Sequence, residues 1–526
     1  MKWFGWVAGA LLAAIGCAAA VTIGPDDWID SPPQLLNPAG ETVVVTNYGL
    51  LSYGLPLRVT ASAENGEVFV GIGHAVDVDD YLRDTTAVGI DWFSPGGLTS
   101  HRQTSTSASL PATPTAVDFW RAKASGPGSQ TVAGSFAGQP VEAVVSTGSG
   151  EPSPLRVSLG SQLAGAFAAS VSLIAIGLAL LAFTSWRWWR ARRTPTAVES
   201  TPPEPAPAHP LRALRTTLAV LVGWSVVLVG SGCSAEQLNT GMVPVPPRTE
   251  LTRDPVDGLD LAALAADYDR RNNAAIAAAA WPRYSVKEWA QADGELLLAS
   301  DRFDTAWDEA RKIKSSPSPA HTTAFRAYGV PGLGYPLSII VNGGFAEREP
   351  AKDTELSVFV RQHSYSPWLQ ISAANLQGNP PQPAGPGTVT EAESAAANAT
   401  AAQLVEWLHN GQVVPVTPTK EMRKWRSEAL KPWKWATKEL TVELNRDAIK
   451  TARIADGTLT AVSAVVTQRF TAKRGAVISW VPPLDRIYQQ RGERRILTAN
   501  FGLSMVYTII GGRTSIIGWK VRNYAP

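Results

Sequence analysis

Three stretches of the chain, residues 3–25, 163–185 and 216–235, carry no charged residue and are rich in Ala, Leu, Val, Ile and Gly. A hydrocarbon core of about 30 Å needs roughly 20 helical residues to cross it. The pattern therefore predicts three transmembrane helices, at residues 1–25, 161–185 and 216–235. Elsewhere, polar and apolar positions interleave as they do in folded domains. The expected fold class is a membrane protein with a small all-β outer domain and a larger α+β outer region.

Residues 26–160 hold short β-rich runs at 42–46, 57–63, 68–71, 130–135, 141–146 and 155–159. Separated by turn residues, they predict a small antiparallel sandwich or barrel. Glu64-Asn65-Gly66-Glu67 between two of them is a hairpin signal, because Asn-Gly tolerates positive φ. Residues 236–257, with Pro244, Pro246 and Pro247, read as a linker. In residues 258–380 a helix capped by Asp260 comes first, then helix over 286–310, then strands at 324–328, 337–341, 356–362 and 368–374. In residues 395–526 the order starts again: a helix over 395–409, then strands at 440–444, 461–471, 475–480, 496–510 and 515–521. Helices followed by long antiparallel strands, twice over, predict two cone-like α+β units.

Charge adds orientation. Trp186-Arg187-Trp188-Trp189-Arg190-Ala191-Arg192-Arg193 follows the second stretch, and Arg212 and Arg215 precede the third. Cytoplasmic loops carry the excess of Lys and Arg. Residues 186–215, basic and then Pro-rich, are thus expected inside as a short hairpin, with the large domains extracytoplasmic and the chain multi-pass in the cell membrane. The tryptophans suit an interfacial belt; the alternative is a cytoplasmic partner-binding motif. The first stretch reads as an uncleaved signal anchor, with a signal peptide cut near Ala18-Ala19-Ala20 as the alternative. A net charge of +2 argues against a nucleic-acid partner, which wants a concentrated basic face. Both cysteines, Cys17 and Cys233, lie in apolar segments, so the outer domains are expected to fold without disulfides and without thiol or Cys-zinc chemistry.

Two strings carry resemblances. Val68-Phe69-Val70-Gly71-Ile72-Gly73, Val76-Asp77-Val78-Asp79-Asp80-Tyr81-Leu82, Asp118-Phe119-Trp120 and Ser125-Gly126-Pro127-Gly128-Ser129-Gln130 make residues 26–160 resemble an extracytoplasmic domain found between two spans of actinobacterial membrane proteins. Ser231-Gly232-Cys233, Leu264-Ala265-Ala266-Asp267-Tyr268 with Asn272-Asn273-Ala274, Gly334-Tyr335-Pro336, Val358-Phe359-Val360-Arg361 and Pro367-Trp368 make residues 228–526 resemble the outer domain of actinobacterial lipoproteins. The second resemblance implies a cone similar to the nuclear-transport-factor-like fold. That fold hosts enzymes, binders and scaffolds alike, so it implies no chemistry.

Candidate sites are few. Gly230-Ser231-Gly232-Cys233 is a candidate lipidation site; the plain alternative is a buried Cys at a span end. Tyr335, Pro336 and Trp368 are candidates for a pocket rim, or else shape a turn and close the cone. Asp77, Asp79, Asp80 and Asp84 invite calcium but lack the glycine and spacing of an EF-hand loop, and read as a short helix with acids toward its N-terminal end. Asp267 and Asp269 read as solvated, and His321 and His363 stand isolated. No catalytic motif, cofactor-binding loop or metal-ligand spacing is present in the sequence. The expected function is a non-enzymatic cell-envelope protein that binds or scaffolds, with the membrane and cell-wall, lipid or envelope-protein partners. The alternatives are an enzyme using a cavity in residues 258–380 and a transmembrane sensor.

Overall fold

The computed structural model describes residues 4–36, 41–51, 55–64, 66–107, 109–136, 139–193, 251–345, 355–384, 388–412 and 414–524. The expected third span at 216–235, Cys233 and most of the 186–215 hairpin lie outside the described residues. The chain divides into two compact units. One comprises Met1–Ile72, Thr86–Thr104 and Lys123–Leu251; the other comprises Gly73–Thr85, Ser105–Ala122 and Thr252–Pro526.

The first unit opens with α1 (Phe4–Ile23), followed by β1 (Trp28–Asp30), β2 (Gln34–Leu35), β3 (Val43–Thr46), the single turn α2 (Tyr48–Leu51) and β4 (Leu57–Ala63). Next come β5 (Glu67–His74), β6 (Ala87–Ser94) and β7 (Gly97–Gln103), while helix α3 (Ala75–Leu82), between β5 and β6 in the chain, falls in the second unit. Then follow β8 (Ala122–Pro127), β9 (Gln130–Gly134), β10 (Val141–Thr147), β11 (Leu155–Gln162) and α4 (Ala166–Arg192). A five-stranded sheet runs β1-β11-β4-β9 with β2 beside β11, and a six-stranded sheet runs β7-β6-β3-β10-β5-β8. Leu57, Val59 and Ala61 of β4 alternate into the core, as a strand with one solvated face must. The Asn-Gly turn is not a hairpin. Gly66 does take a positive φ of 88°, but β4 and β5 lie in different sheets, so the chain turns there to cross between them. Turn chemistry fixes the local bend; the buried run of β5, from Val68 to His74, chooses its partners β10 and β8.

Helices α1 and α4 are each long and apolar enough to cross a membrane. They pack antiparallel through glycines. A Cβ on Gly177 would lie 2.6 Å from Ala13 N and 2.7 Å from Gly9 O, and one on Gly16 would lie 2.8 Å from Ser170 O. Only hydrogen fits there, which is how backbones approach closely where lipid offers no hydrophobic drive for association. Phe4, Leu11, Ile15, Ile176 and Phe183 face outward. At the far end of α4 the guanidinium groups of Arg190, Arg192 and Arg193 cover the rings of Trp186, Trp188 and Trp189, at 4.3, 3.6 and 3.2 Å from the centroids. At the near end Asp27 accepts hydrogen bonds from Gly165 N (2.9 Å) and Phe167 N (2.8 Å), capping α4 with a residue that follows α1. These backbone donors hold the Asp27 carboxyl below its ordinary range.

In the second unit, α5 (Leu261–Ala279) starts at Asp260, whose side chain accepts from Ala262 N and Ala263 N. Helix α6 (Glu295–Arg311) and strands β12 (Thr322–Val330), β13 (Leu337–Phe345), β14 (Glu355–Arg361) and β15 (Trp368–Leu376) complete a first half. The second half holds α7 (Glu391–Asn410), α8 (Lys420–Leu430), β16 (Ala436–Leu444), β17 (Lys450–Ile454), β18 (Gly457–Ala472), the single turn α9 (Leu484–Ile487), β19 (Ile496–Ile510) and β20 (Arg513–Tyr524). The two halves share one nine-stranded sheet, in the order β12-β13-β14-β15-β20-β19-β18-β16 with β17 on β18. The seam is narrow: β15 and β20 pair only at Asn375↔Trp519 and Leu376↔Gly518. Helices cover the sheet through two apolar clusters, Leu264, Tyr268, Ile339 and Phe359 in the first half and Leu404, Leu408, Met422, Leu503 and Tyr507 in the second.

Two expected elements differ. Residues 475–480 are not a strand: Gly475 takes φ of 80°, Pro482 and Pro483 donate no backbone hydrogen bond, and only Ile478 bridges, to Arg494. Helix over 286–310 is instead a 3-10 turn at Glu288–Gln291 followed by α6, because Asp293-Gly294 ties back to Gln370.

Candidate functional site

The first half of the second unit holds a carboxyl pair, Asp293 buried and Asp301 half-buried. Asp293 sits between the 3-10 turn and α6, held by Gly294 N donating to Gln370 O (2.9 Å) and Gln370 N donating to Ala292 O (3.0 Å). Its side chain is 1% exposed. The Tyr268 hydroxyl on α5 donates to Asp293 Oδ1 at 3.1 Å, and the Tyr268 ring meets Phe359 edge-on at 5.3 Å. Asp293 Oδ2 is buried and meets no N–H or hydroxyl donor among the described residues, and the Asp301 carboxyl is its side chain's other hydrogen-bond partner when one of the two acids is protonated. Burial, then the charge of Asp301 on α6, raises the Asp293 carboxyl to about 8. Burial raises Asp301 to about 6, and the Arg522 guanidinium on β20 pulls it back. Two carboxyls in such surroundings hold one proton between them at neutral pH.

A shared proton is the equipment of general acid–base catalysis, so space decides what the pair can do. The neighbouring cavity, lined by Leu264, Ala265, Tyr268, Asn272, Glu355 and Phe359 among others, measures about 70 Å³. That admits a few waters, whereas pockets for organic ligands run to about 300–1,000 Å³. Asp293 and Asp301 are not among its lining residues, whereas Tyr268, which donates to Asp293, is. Among the described residues no group of three His, Cys, Asp or Glu side chains is placed to hold a metal ion.

The other sequence candidates cluster elsewhere in the same unit. Asp77 of α3 is 1% exposed and takes Arg253 Nε at 3.1 Å and the Tyr335 hydroxyl at 2.8 Å. Asp80 accepts from Ser364 N and Arg83, both at 2.7 Å. Two of the four acids, Asp77 and Asp80, thus form a buried tie. His363 lies 3.5 Å from Asp80 and stacks on Tyr365 at 5.0 Å. Tyr335 and Trp368 belong to the apolar cluster around Leu264, and Pro336 is exposed. The Trp368 carbonyl accepts from buried Arg271 at 2.8 Å. Asp269, read as solvated, accepts from Thr322 N at 2.7 Å and ties α5 to β12.

Sequence reasoning missed Asp293, Asp301 and Arg522. Asp293-Gly294 reads as an ordinary turn, and more than two hundred residues separate the acids from Arg522. The one signal was Tyr268, a polar tip on an apolar helix face that needs a buried partner. Comparison with protein-family models, with curated proteins and with solved structures finds no match to this chain.

Proposed function

We propose that the chain is a non-enzymatic cell-envelope protein, held in a membrane by its apolar helices, whose β-rich and α+β regions bind or scaffold partners on the outer side. The observation that carries the choice of binder over enzyme is the small cavity beside Tyr268, which admits only a few waters and into which neither Asp293 nor Asp301 opens. Membrane anchoring draws support from α1 and α4, whose glycine faces pack on each other while their apolar side chains point outward. That packing favours a retained α1 over a cleaved signal peptide, since cleavage would strip α4 of its partner. The arginine-capped tryptophans at the end of α4 favour a cytoplasmic end there. A third span at 216–235 is part of the proposal, and so is a cone-like shape for each half of the second unit.

Two experiments test it. With Cys17→Ser and Cys233→Ser as background, Ser200→Cys should resist an impermeant thiol reagent in intact cells and Ser316→Cys should react; the reverse overturns the orientation. Crosslinking in intact cells should capture the same partner with wild type and Asp293→Asn. If that variant keeps its fold and its partner while a cellular phenotype is lost, the carboxyl pair does chemistry and the binding reading fails.

A further inference from the structure

One end of the nine-stranded sheet is basic and tipped with exposed apolar side chains. There β16 begins, β18 ends and β19 begins, with Ala436 opposite Ala472 and Thr471 opposite Ile496. The loops beyond are stitched together: Lys473 N donates to Trp435 O (2.9 Å), Ala472 N to Arg495 O (2.8 Å) and Arg494 N to Ile478 O (2.8 Å). From this framework Trp433, Trp435, Val477 and Val481 stand 44, 59, 52 and 73% exposed. Trp433 rests on Phe470 at 4.7 Å, whose other neighbour is Trp480 at 5.2 Å, so the exposed ring is braced from below. Lys438 lies 4.7 Å over Trp433, and Lys434 4.7 Å over Trp435. Lys431, Lys473, Arg474, Arg491, Arg494 and Arg495 surround them in the same exposed loops, against Glu439 and Glu493.

We propose that this end of the sheet is a docking surface for a bilayer containing anionic phospholipid. Charge alone would suit any polyanion. The aliphatic tips Val477 and Val481 decide between them: they gain nothing from a hydrated polymer, and they gain burial at the boundary between headgroups and acyl chains. Tryptophan prefers that boundary, and lysine and arginine stems lie along it with their charges at the phosphates. Each basic side chain near an anionic surface is worth a factor of about five in occupancy. The inference rests on the membrane-bound reading, because anchoring helices keep lipid at high effective concentration for a surface too small to hold it alone.

The test uses the full chain with Cys17→Ser, Cys233→Ser and Val481→Cys, the last carrying an environment-sensitive fluorophore. It is reconstituted in phosphatidylcholine vesicles with or without phosphatidylglycerol. The expected result is a blue-shifted label, quenched by nitroxide lipid, only when phosphatidylglycerol is present. A label at Asp456→Cys, at the opposite end of β18, should stay aqueous in both. Lys434→Gln with Arg474→Gln and Arg494→Gln should lower the docking equilibrium constant read at position 481 roughly a hundredfold, with thermal unfolding unchanged. An aqueous label in both lipids overturns the proposal and leaves the membrane-anchored reading standing. So does equal insertion without phosphatidylglycerol, or protection of the label by soluble polyphosphate but not by vesicles.

Discussion

Replacing Asp77 by Ala should destabilise the second unit by about 3 kcal/mol. The carboxylate is 1% exposed and takes both Arg253 Nε (3.1 Å) and the Tyr335 hydroxyl (2.8 Å). Breaking a buried ion pair by removing one partner costs about 3–5 kcal/mol, chiefly because the surviving charge is left uncompensated. Arg253 would keep some company, since Nη1 also donates to Asp254 O at 2.6 Å and to Asp257 O at 3.2 Å. The lower end of the range follows. At roughly 2–4 °C per kcal/mol for a unit of this size, the melting midpoint should fall by about 6–12 °C. Asp77→Asn keeps an acceptor for Tyr335 and loses only the charge, so it should cost less, about 1–3 kcal/mol. The assay is thermal and denaturant unfolding of the detergent-solubilised full chain, with Arg253→Met and the double variant completing a cycle. The double variant should recover at least 1 kcal/mol relative to the sum of the singles. Additive singles, or an Asp77→Ala change within about 0.5 kcal/mol of wild type, would refute the buried tie.

Asp293 is raised in the fold to about 8 from an ordinary 3.8, so the folded protein keeps a proton that the unfolded chain gives up above pH 4. The Asp293 contribution to stability should therefore be full below about pH 4 and be lost as pH rises through 8; Asp293→Asn should remove that fall and raise the melting midpoint at pH 9, and an unchanged pH profile would sink the assignment. Leu264→Asp, placing a carboxylate at a 6% exposed site among Ile339 and Phe359, should abolish cooperative unfolding. Asp269→Ala should cost about 1–2 kcal/mol because it strands Thr322 N, and equal behaviour of the two would show that this face of α5 is not core. Gly177→Leu should destabilise the helix pair by about 1–3 kcal/mol in detergent by circular dichroism, while Ile176→Leu, on the outward face, should not.

Local signals were legible where they did not depend on distant chain. Alternation placed β4, and uncharged length located α1 and α4. Asp260 capped its helix as read, since an N-cap concerns only the next three residues. Helix α8 was missed although Thr419 caps it and Met422, Trp425 and Ala429 share a stripe; seven of its eleven residues are charged or polar, and that masked the period. The Asn-Gly turn misled because a turn fixes a bend and not a partner. The acids divided likewise. Asp77 read only as one of several acids toward the N-terminal end of a short helix, and its arginine lies 176 residues away. Long-range pairing of polar groups leaves no period in the sequence, so buried charge stayed invisible.

Strands β1 and β11 are hydrogen-bonded neighbours, with Trp28 opposite Gln162, and each runs within a few residues into a membrane-length helix. Paired strands lie about 4.8 Å apart, whereas packed helices ordinarily keep their axes 8–10 Å apart. The ladder outside therefore sets the two helices off on converging courses, and the glycines at 9, 16 and 177 let them take that convergence. The composition of the apolar segments is in this sense written by the sheet they hang from. A generic leucine-rich segment of equal length would be as apolar and could not pack this closely, so the two apolar helices of this protein are not interchangeable with others of their length.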